Sequence, residues 1–492
     1  MATRHGLSPG RRFNRMSEIS DFGLGILVVS ATVFVALLGM RVGDRLSIPY
    51  AGLFLVGSAL VAELVPSVRH ALSIQQVERI AVVALVVILF DGGLHIGLRR
   101  FRRSAGPILA LGVVGTFVTA GIVALAARYV LGFSWTASGL VGAAIAPTDP
   151  AVTFSLFGGR EIRGRAGTIL EGEAGTNDPV GIALMIGMIE VATDHHGGAW
   201  TVASEFLRDM GVGLAVGVAG ALLLLSVLRR VRLTGPALYP IRVLAGAGVI
   251  YGLASVLGGS GFLAVFVAGV ILGDASAPRK GEIEGFHASL AGLAEIAAFV
   301  ALGLSIGVGE LRTVGVWGDG LVLAIAVALV ARPLAVFPLL LPANLHRRER
   351  LFVAWAGLKG AVPILLGALA VLGAVDGAAR LYGIVFVVVL CSVLVQGTSV
   401  PFAARVLGIS FRRIDHDLDE ARELVVHGEA TARGLAIGSL PLGERAWVGG
   451  LVRNGAAHRI ADDVVLEPGD RVLVYGSPAD AAALERIFSG SG

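Results

Sequence analysis

A small set of ionisable side chains lies inside long apolar stretches of this 492-residue chain. An ionised group at the centre of a bilayer costs about 3 kcal/mol or more, so such residues are functional candidates by default. Asp91 sits in Ile-Leu-Phe-Asp-Gly-Gly-Leu, residues 88–94. Asp149 follows Thr148 between Pro147 and Pro150. Glu171, Glu173, Asn177 and Asp178 precede Pro179; Glu295, Arg332 and Lys359 stand further along, the last in Gly-Leu-Lys-Gly-Ala-Val-Pro-Ile. A carboxylate in such surroundings can hold a proton or a cation. Two prolines around Thr-Asp cannot continue a regular helix, because each removes a backbone donor. The break frees carbonyls at membrane depth, and irregular backbone is tolerated there only when buried in protein or facing a cavity. Glu171 and Asp178 are seven apart, and Ala174 and Asp178 four, so all three share one helical face.

The elements that must position these residues follow from composition. Hydrophobic residues make up 55% of the chain and charged residues 15%, against roughly 25% charged in an ordinary globular protein. A soluble fold could not hide that much apolar surface, so the chain reads as an all-α polytopic membrane protein. The lone Cys391 excludes a disulfide scaffold. A bilayer needs about 20 apolar residues per helix, and thirteen runs fall near 22–40, 48–65, 79–98, 106–131, 135–159, 166–191, 205–228, 241–257, 261–273, 286–308, 316–342, 351–373 and 381–404. The loops after the odd-numbered runs carry 17 Arg and Lys, and the even-numbered loops 6. Odd loops are therefore cytoplasmic, as is the C-terminus. The basic segment 1–20 opposes this orientation and makes Met16 a candidate start. Basic loops also account for the net charge of +4 without a nucleic-acid partner.

Runs 5 and 12 are both interrupted by Gly or Pro with a charge inside the interruption. They are seven runs apart, which suits two six-helix units in an inverted repeat with a transporter-type site near the midplane. Of the 40 basic residues only Lys280 and Lys359 are Lys. Lys359 inside a break suits a salt bridge or a titrating role, since Lys can lose its proton when buried and Arg cannot.

The motifs LFDGGL, A-x-x-x-TDP, E-x-x-x-NDP, GGSGFLAVFVAG (Gly258 to Gly269) and GLKGAVPI resemble the NhaP-type monovalent cation:proton antiporters. The similarity is strongest to the potassium/proton branch that carries a C-terminal TrkA-C (RCK-C) domain, and it covers the chain from about Ile19. The resemblance implies a site where runs 5 and 6 cross. Asp178 would be the central carboxylate binding the monovalent cation or proton. Asn177 would orient it, Thr148 would offer oxygen, and Asp149 would lie close by. Asp91 would be an auxiliary acid in the cation funnel. Glu173 would form a core ion pair with Lys359 or Arg332. Two residues depart from the family pattern. Ala174 stands where a Ser is usual, leaving Thr176 or water to replace the hydroxyl, and Lys359 replaces an Arg. Asn177, where electrogenic relatives have a second Asp, implies electroneutral one-for-one exchange.

The resemblance implies a bacterial inner-membrane protein embedded in lipid, a homodimer, with K+ or Na+ and H+ as partners and no cofactor. A sodium/proton antiporter of the same fold is the alternative. An RCK-gated channel would need a carbonyl filter such as TVGYG, which the sequence lacks. No HExxH pair indicates an enzyme. Structural readings stand beside the functional ones. Asp91 could cap the Gly92-Gly93 turn, and Glu295 could be a second proton site or an inert, neighbour-bonded residue. His95 could sense pH or mark the interface. The spacing Gly211-x-Gly213-x-x-x-Gly217 reads as helix packing, and His195-His196 is too short for a metal site.

Beyond Phe411 the charge density rises: 22 charges in 82 residues, against 54 in the preceding 410. The chain therefore divides into a lead (1–20), a transmembrane exchanger domain (21–408), a linker (409–422) and a small α+β domain (423–492). Strands are expected at 424–427, 433–437, 446–452, 464–466 and 472–475, with turns at Asn454-Gly455 and Glu467–Asp470 and a closing helix at 479–488. This pattern resembles an RCK-C module without its nucleotide-binding half. It implies either a site for a small-molecule ligand or a dimer clasp.

Overall fold

The computed structural model describes most of residues 49–489, together with Gly23, Leu27, Ser30 and Phe34. Residues 66–71, 150–159, 163, 194–198, 232, 236, 276, 314, 410, 414–419, 443–446, 454, 459–462, 477–480 and 490–492 lie outside the description. Most of run 1, the second half of run 5, His195-His196 and Asn454 therefore fall outside it. The chain divides into two compact units, Met1–Arg412 and Arg413–Gly492.

The first unit is helical. Helices occupy the described parts of runs 2 to 13, run 5 only as far as Ile145, and among the described residues six are long and apolar enough to cross a membrane. A seventh is the bent pair Arg347–Ala356 and Ala361–Leu372, which turns by 41° at its break. Tyr50–Leu64, Trp135–Ile145 and Gly261–Gly273 are shorter apolar helices. Large apolar side chains on the outer face of Ala199–Arg230, including Leu207, Leu214 and Leu222, are exposed. Apolar surface of that extent suits lipid rather than water.

Runs 3 and 4 are two helices, as expected, that meet at a kink within Ile74–Tyr129, but residues 99–103 are helical rather than a loop. The break falls at Gly97, whose φ of 66° and ψ of 159° are open to glycine but strained for other residues. The Asp274 carboxylate accepts the Arg99 backbone N–H just past this break. The start of the stretch is fixed by a capping box: Ser73 Oγ accepts from Gln76 N at 3.3 Å, and Gln76 Oε1 accepts from Ser73 N at 2.8 Å. Runs 8 and 9 separate where Gly258 takes a φ of 71° and Ser260 caps Gly261–Gly273. That short helix packs closely on Ile74–Leu109. A Cβ at Gly269 would lie 2.3 Å from the Phe90 carbonyl oxygen, so small residues set the helix spacing there.

Among the described residues three π-helical turns interrupt long helices, at Ala110–Gly115, Val327–Ala331 and Ser392–Gly397. Each accommodates an extra residue per turn and re-phases the side chains after it.

The second unit is a small α+β fold. Its four-stranded antiparallel sheet runs in the order Glu420–Val425, Arg471–Gly476, Trp447–Arg453, Ala456–His458. The register pairs Val425 with Arg471 and Arg453 with Ala456. Helix Ala481–Ser489 places Leu484 and Phe488 in a core with Val426, Leu451, Leu466, Val472 and Val474. Residues 433–437 and 464–466 do not form ladder strands. Only Ala436 and Val465 bridge, and Ile437–Ser439 turns into a 3₁₀ helix. The segment instead folds into tight turns, with Gly434 at a φ of 75°. The Glu467–Asp470 turn forms, with Gly469 at a φ of 92° and Asp470 N–H bonded to the Glu467 carbonyl at 3.1 Å.

Candidate cation-binding site

The first break follows directly from the prolines. Trp135–Ile145 ends before Pro147, and residues 146–149 leave the helix. The second break spans residues 357–360, between Arg347–Ala356 and Ala361–Leu372. The two non-helical stretches meet. Asp149 N–H donates to the Leu358 carbonyl at 2.8 Å. Lys359 Nζ donates to the Ala146 carbonyl at 2.7 Å and the Pro147 carbonyl at 2.9 Å. These are carbonyls that the ended helix leaves without partners of its own, and a buried ammonium satisfies them. A Cβ at Gly360 would lie 2.0 Å from Asp149 Oδ2, so only glycine lets the second break approach this carboxylate.

Helix Arg165–Thr193 passes this crossing unbroken, despite Pro179. It presents Asn177 and Asp178, both buried; Asp178 is 4% exposed. Asn177 Nδ2 donates to Thr148 Oγ1 at 2.7 Å. Asp178 Oδ1 and Asn177 Oδ1 are buried without a hydrogen-bond partner among the described residues. The charges acting on Asp178 are those of Asp149 and Lys359. The crossing therefore combines two side-chain oxygens without partners, the Thr148 hydroxyl and the nearby Asp149. Oxygen donors of this kind suit a hard monovalent cation or a proton.

Five residues before Asp178 on the same helix, Glu173 has a different environment. Arg332 grips it with both terminal nitrogens, Nη1 in a short contact to Oε1 and Nη2 at 3.1 Å from Oε2. Nη2 also lies 3.3 Å from the Val353 carbonyl. Of the two bases offered for the core ion pair, Arg332 is the one on Glu173. Lys359 is taken by the freed carbonyls instead, a task for a point charge with several donors. Its backbone N–H donates to Ser392 Oγ at 2.9 Å. Ser392 Oγ in turn lies 3.2 Å from Gln396 Oε1, and Gln396 Nε2 donates to the Trp355 carbonyl at 2.7 Å.

Thr176 lies beside the site but turns back on its own helix, donating to the Gly172 carbonyl at 2.7 Å. Asp91 stands apart from the Asp178 cluster. Its Oδ2 is 3.3 Å from His95 Nδ1, and its Oδ1 has no partner among the described residues. Glu295 Oε2 accepts the Tyr50 hydroxyl at 2.5 Å.

Several residues were not reached by sequence reasoning: Tyr50, Ser392, Gln396, Asp274 and the fully buried His287. The i, i+4 pair Ser392 and Gln396 in an otherwise apolar run was the available signal. His287 binds the Ile283 carbonyl at 2.7 Å and lies 5.3 Å from the Phe90 ring, with Nε2 unpartnered among the described residues.

Known proteins carry the same two-part organisation. Residues 30–406 match the transmembrane sodium/hydrogen exchanger family, and residues 421–489 match the TrkA-C domain. The chain is 31% identical over 488 residues to a K(+)/H(+) antiporter NhaP2 of Shewanella sp. (strain MR-4), covering 96% of this chain and 83% of that protein. It is 30% identical over 489 residues to the K(+)/H(+) antiporter NhaP of Alkalimonas amylolytica, covering 95% and 83%. The Na(+)/H(+) antiporter NhaH of Halobacillus aidingensis is 27% identical over 401 residues, covering 78% of this chain and 97% of that protein. The fold is similar to that of the sodium proton antiporter MjNhaP1 of Methanocaldococcus jannaschii, with a TM-score of 0.66 at 22% identity, covering 76% of this chain and 99% of that one. With two non-helical stretches meeting beside a buried carboxylate and a family match across most of its length, the chain belongs to the sodium/hydrogen exchanger family and carries a C-terminal TrkA-C domain.

Proposed function

We propose that the chain is a secondary-active antiporter that exchanges potassium for protons, one for one, by alternating access at Asp178. The carrying observation is the bare, buried Asp178 oxygen beside the crossing of two unwound segments. A carboxylate in a low-dielectric cavity can satisfy its charge with a proton or with a cation, but two positive partners at once repel each other. Competition for Asp178 therefore couples the two fluxes. Asn177 contributes an amide rather than a second acid, so one positive charge is exchanged for another. Thr148 accepts from Asn177 and keeps its own O–H and second lone pair for the ion or for Asp178. Asp149 draws the cation towards the crossing, and Asp91 does so further out. Thr176 joins the site if its hydroxyl turns from Gly172.

Potassium as the substrate rests on the names of the relatives that align over both domains. A sodium/proton antiporter of the same fold is the second reading, supported by NhaH and by the MjNhaP1 likeness of the membrane domain. The excess of Arg in the odd-numbered loops supports a cytoplasmic TrkA-C domain in a bacterial inner membrane. That domain suits a homodimer contact or a small regulatory ligand. The test is proton movement in everted vesicles driven by potassium, sodium, lithium or rubidium across pH. Potassium-driven proton efflux that does not generate a membrane potential supports the reading. Cation conduction without proton movement overturns it in favour of a channel.

A further inference from the structure

Glu295 is a buried acid outside the Asp149–Asp178 crossing, 5% exposed on Lys280–Leu304. Its Oε2 is held by the Tyr50 hydroxyl at 2.5 Å. Its Oε1 is buried and has no hydrogen-bond partner among the described residues. Tyr50 opens helix Tyr50–Leu64, preceded by Pro49. A Cβ at Gly397 would meet Pro49 Cγ at 3.0 Å and Leu358 Cδ1 at 3.5 Å, so this corner lies beside the second break. Asp149 is the acid whose charge reaches both Glu295 and Tyr50.

Among the described residues, the other elements packed on Lys280–Leu304 send no basic group to Glu295. On Ile74–Leu109, Asp91 lies against His95, with Oδ2 at 3.3 Å from Nδ1. Leu238–Val256 carries Arg242, which donates to the Val231 carbonyl at 2.7 Å. Ala361–Leu372 has no ionisable residue. Among the described residues the two bases beside the breaks are already engaged, Arg332 on Glu173 and Lys359 on backbone carbonyls. Glu295 Oε1 is left without a hydrogen-bond partner among the described residues, and such a buried carboxylate oxygen is costly.

Resting on the exchange reading above, we propose that Glu295 and Tyr50 form a second station for the alkali cation, next to the Asp149–Asp178 site. Glu295 Oε1 supplies the bare anionic oxygen, and the Tyr50 hydroxyl, donating to Oε2, keeps a lone pair for the same ion. The station concentrates the cation beside the crossing, so it acts on apparent affinity rather than on turnover.

The experiment measures KM and kcat for potassium and sodium in vesicles carrying the full chain. Glu295→Gln keeps the shape and an acceptor for Tyr50 but removes the charge. It is expected to raise cation KM by about 5–30-fold with kcat within about threefold, the range a single carboxylate's field gives at short distance. Glu295→Asp restores KM to within about threefold of the native value, and Tyr50→Phe raises it by about threefold. A native KM in Glu295→Gln, or a loss confined to kcat, overturns the station and leaves Glu295 as a structural anchor for Tyr50. If Glu295→Gln does not reach the membrane, a native KM in Tyr50→Phe overturns it equally. Failure of the native chain to move protons at all would overturn the exchange reading itself, a separate outcome.

Discussion

Glu173 and Asp178 share one helix, are five residues apart and are both buried, yet they are treated in opposite ways. Glu173 is gripped by both terminal nitrogens of Arg332. Asp178 has an oxygen with no hydrogen-bond partner among the described residues. A bidentate guanidinium–carboxylate pair closes its own charge and leaves nothing for an ion. An acid without a dedicated base stays available. The lesson is that a buried carboxylate's function is set less by its burial than by whether the fold has supplied its counter-charge.

That contrast can be broken from either side. The largest effect is expected at the open acid: Asp178→Asn removes the negative charge for which cation and proton compete and lowers exchange more than about 100-fold in vesicles, while the carrier remains folded by size-exclusion profile. Near-native exchange in this variant would sink the role given to Asp178. At the closed pair, Glu173→Gln leaves Arg332 buried without its anion, a loss of about 3–5 kcal/mol in stability. It should appear as a lower melting temperature in detergent, with the residual folded carrier still exchanging. Replacing both partners together, Glu173→Leu with Arg332→Met, recovers most of that stability, because no unpaired charge then remains.

Asn177→Asp makes the open side more acidic. A second carboxylate beside Asp178 is expected to couple an additional proton to each cation, so that exchange generates a membrane potential detectable with a voltage-sensitive dye. An electrically silent variant would place the stoichiometry elsewhere.

The smallest effect on transport is expected in the tail, where a closed pair recurs. Arg453 bonds both Asp470 oxygens at 2.8 and 2.7 Å, and this hydrogen bonding holds the Asp470 carboxyl below its ordinary range. A depressed folded-state value means that the pair stabilises the domain fully above the unfolded carboxylate's range. That contribution is lost as pH falls through the folded value. Hydrogen exchange over residues 420–489 of the full chain should therefore quicken in acid. Asp470→Asn should remove that acid dependence at a loss of about 1–3 kcal/mol.

Much of this organisation was readable before any coordinates. Prolines at 147 and 150 marked one break, and the Gly-Leu-Lys-Gly stretch marked the other. The spacing of Asn177 and Asp178 put them on a helix that could face both. The partner of Glu173 was not readable, because Arg332 and Lys359 are both long, basic and intramembrane, and only three-dimensional packing decides between them. The bond from Tyr50 to Glu295 joins residues 245 positions apart. No local pattern reports such a pairing. Runs 3 and 4 do part as expected, at Gly97, but the arginines within 99–103 are helical rather than in a loop. Charge marks where a chain meets water, whereas a positive φ marks where it turns. In the tail, residues 433–437 look like a strand by side-chain type, but tight turns around Gly434 leave only an isolated bridge.

The crossing of the two breaks has a mechanical consequence. Three hydrogen bonds, from Asp149 N–H and from Lys359 Nζ, stitch residues 146–149 to 358–359. None of them needs the ion. Segments so fastened travel together, carrying Thr148 with them. The swing that opens the site first to one side and then to the other must pivot around this knot rather than within it. A crosslink tying the two segments should therefore leave the carrier working, while one tying the knot to its surroundings should stall it.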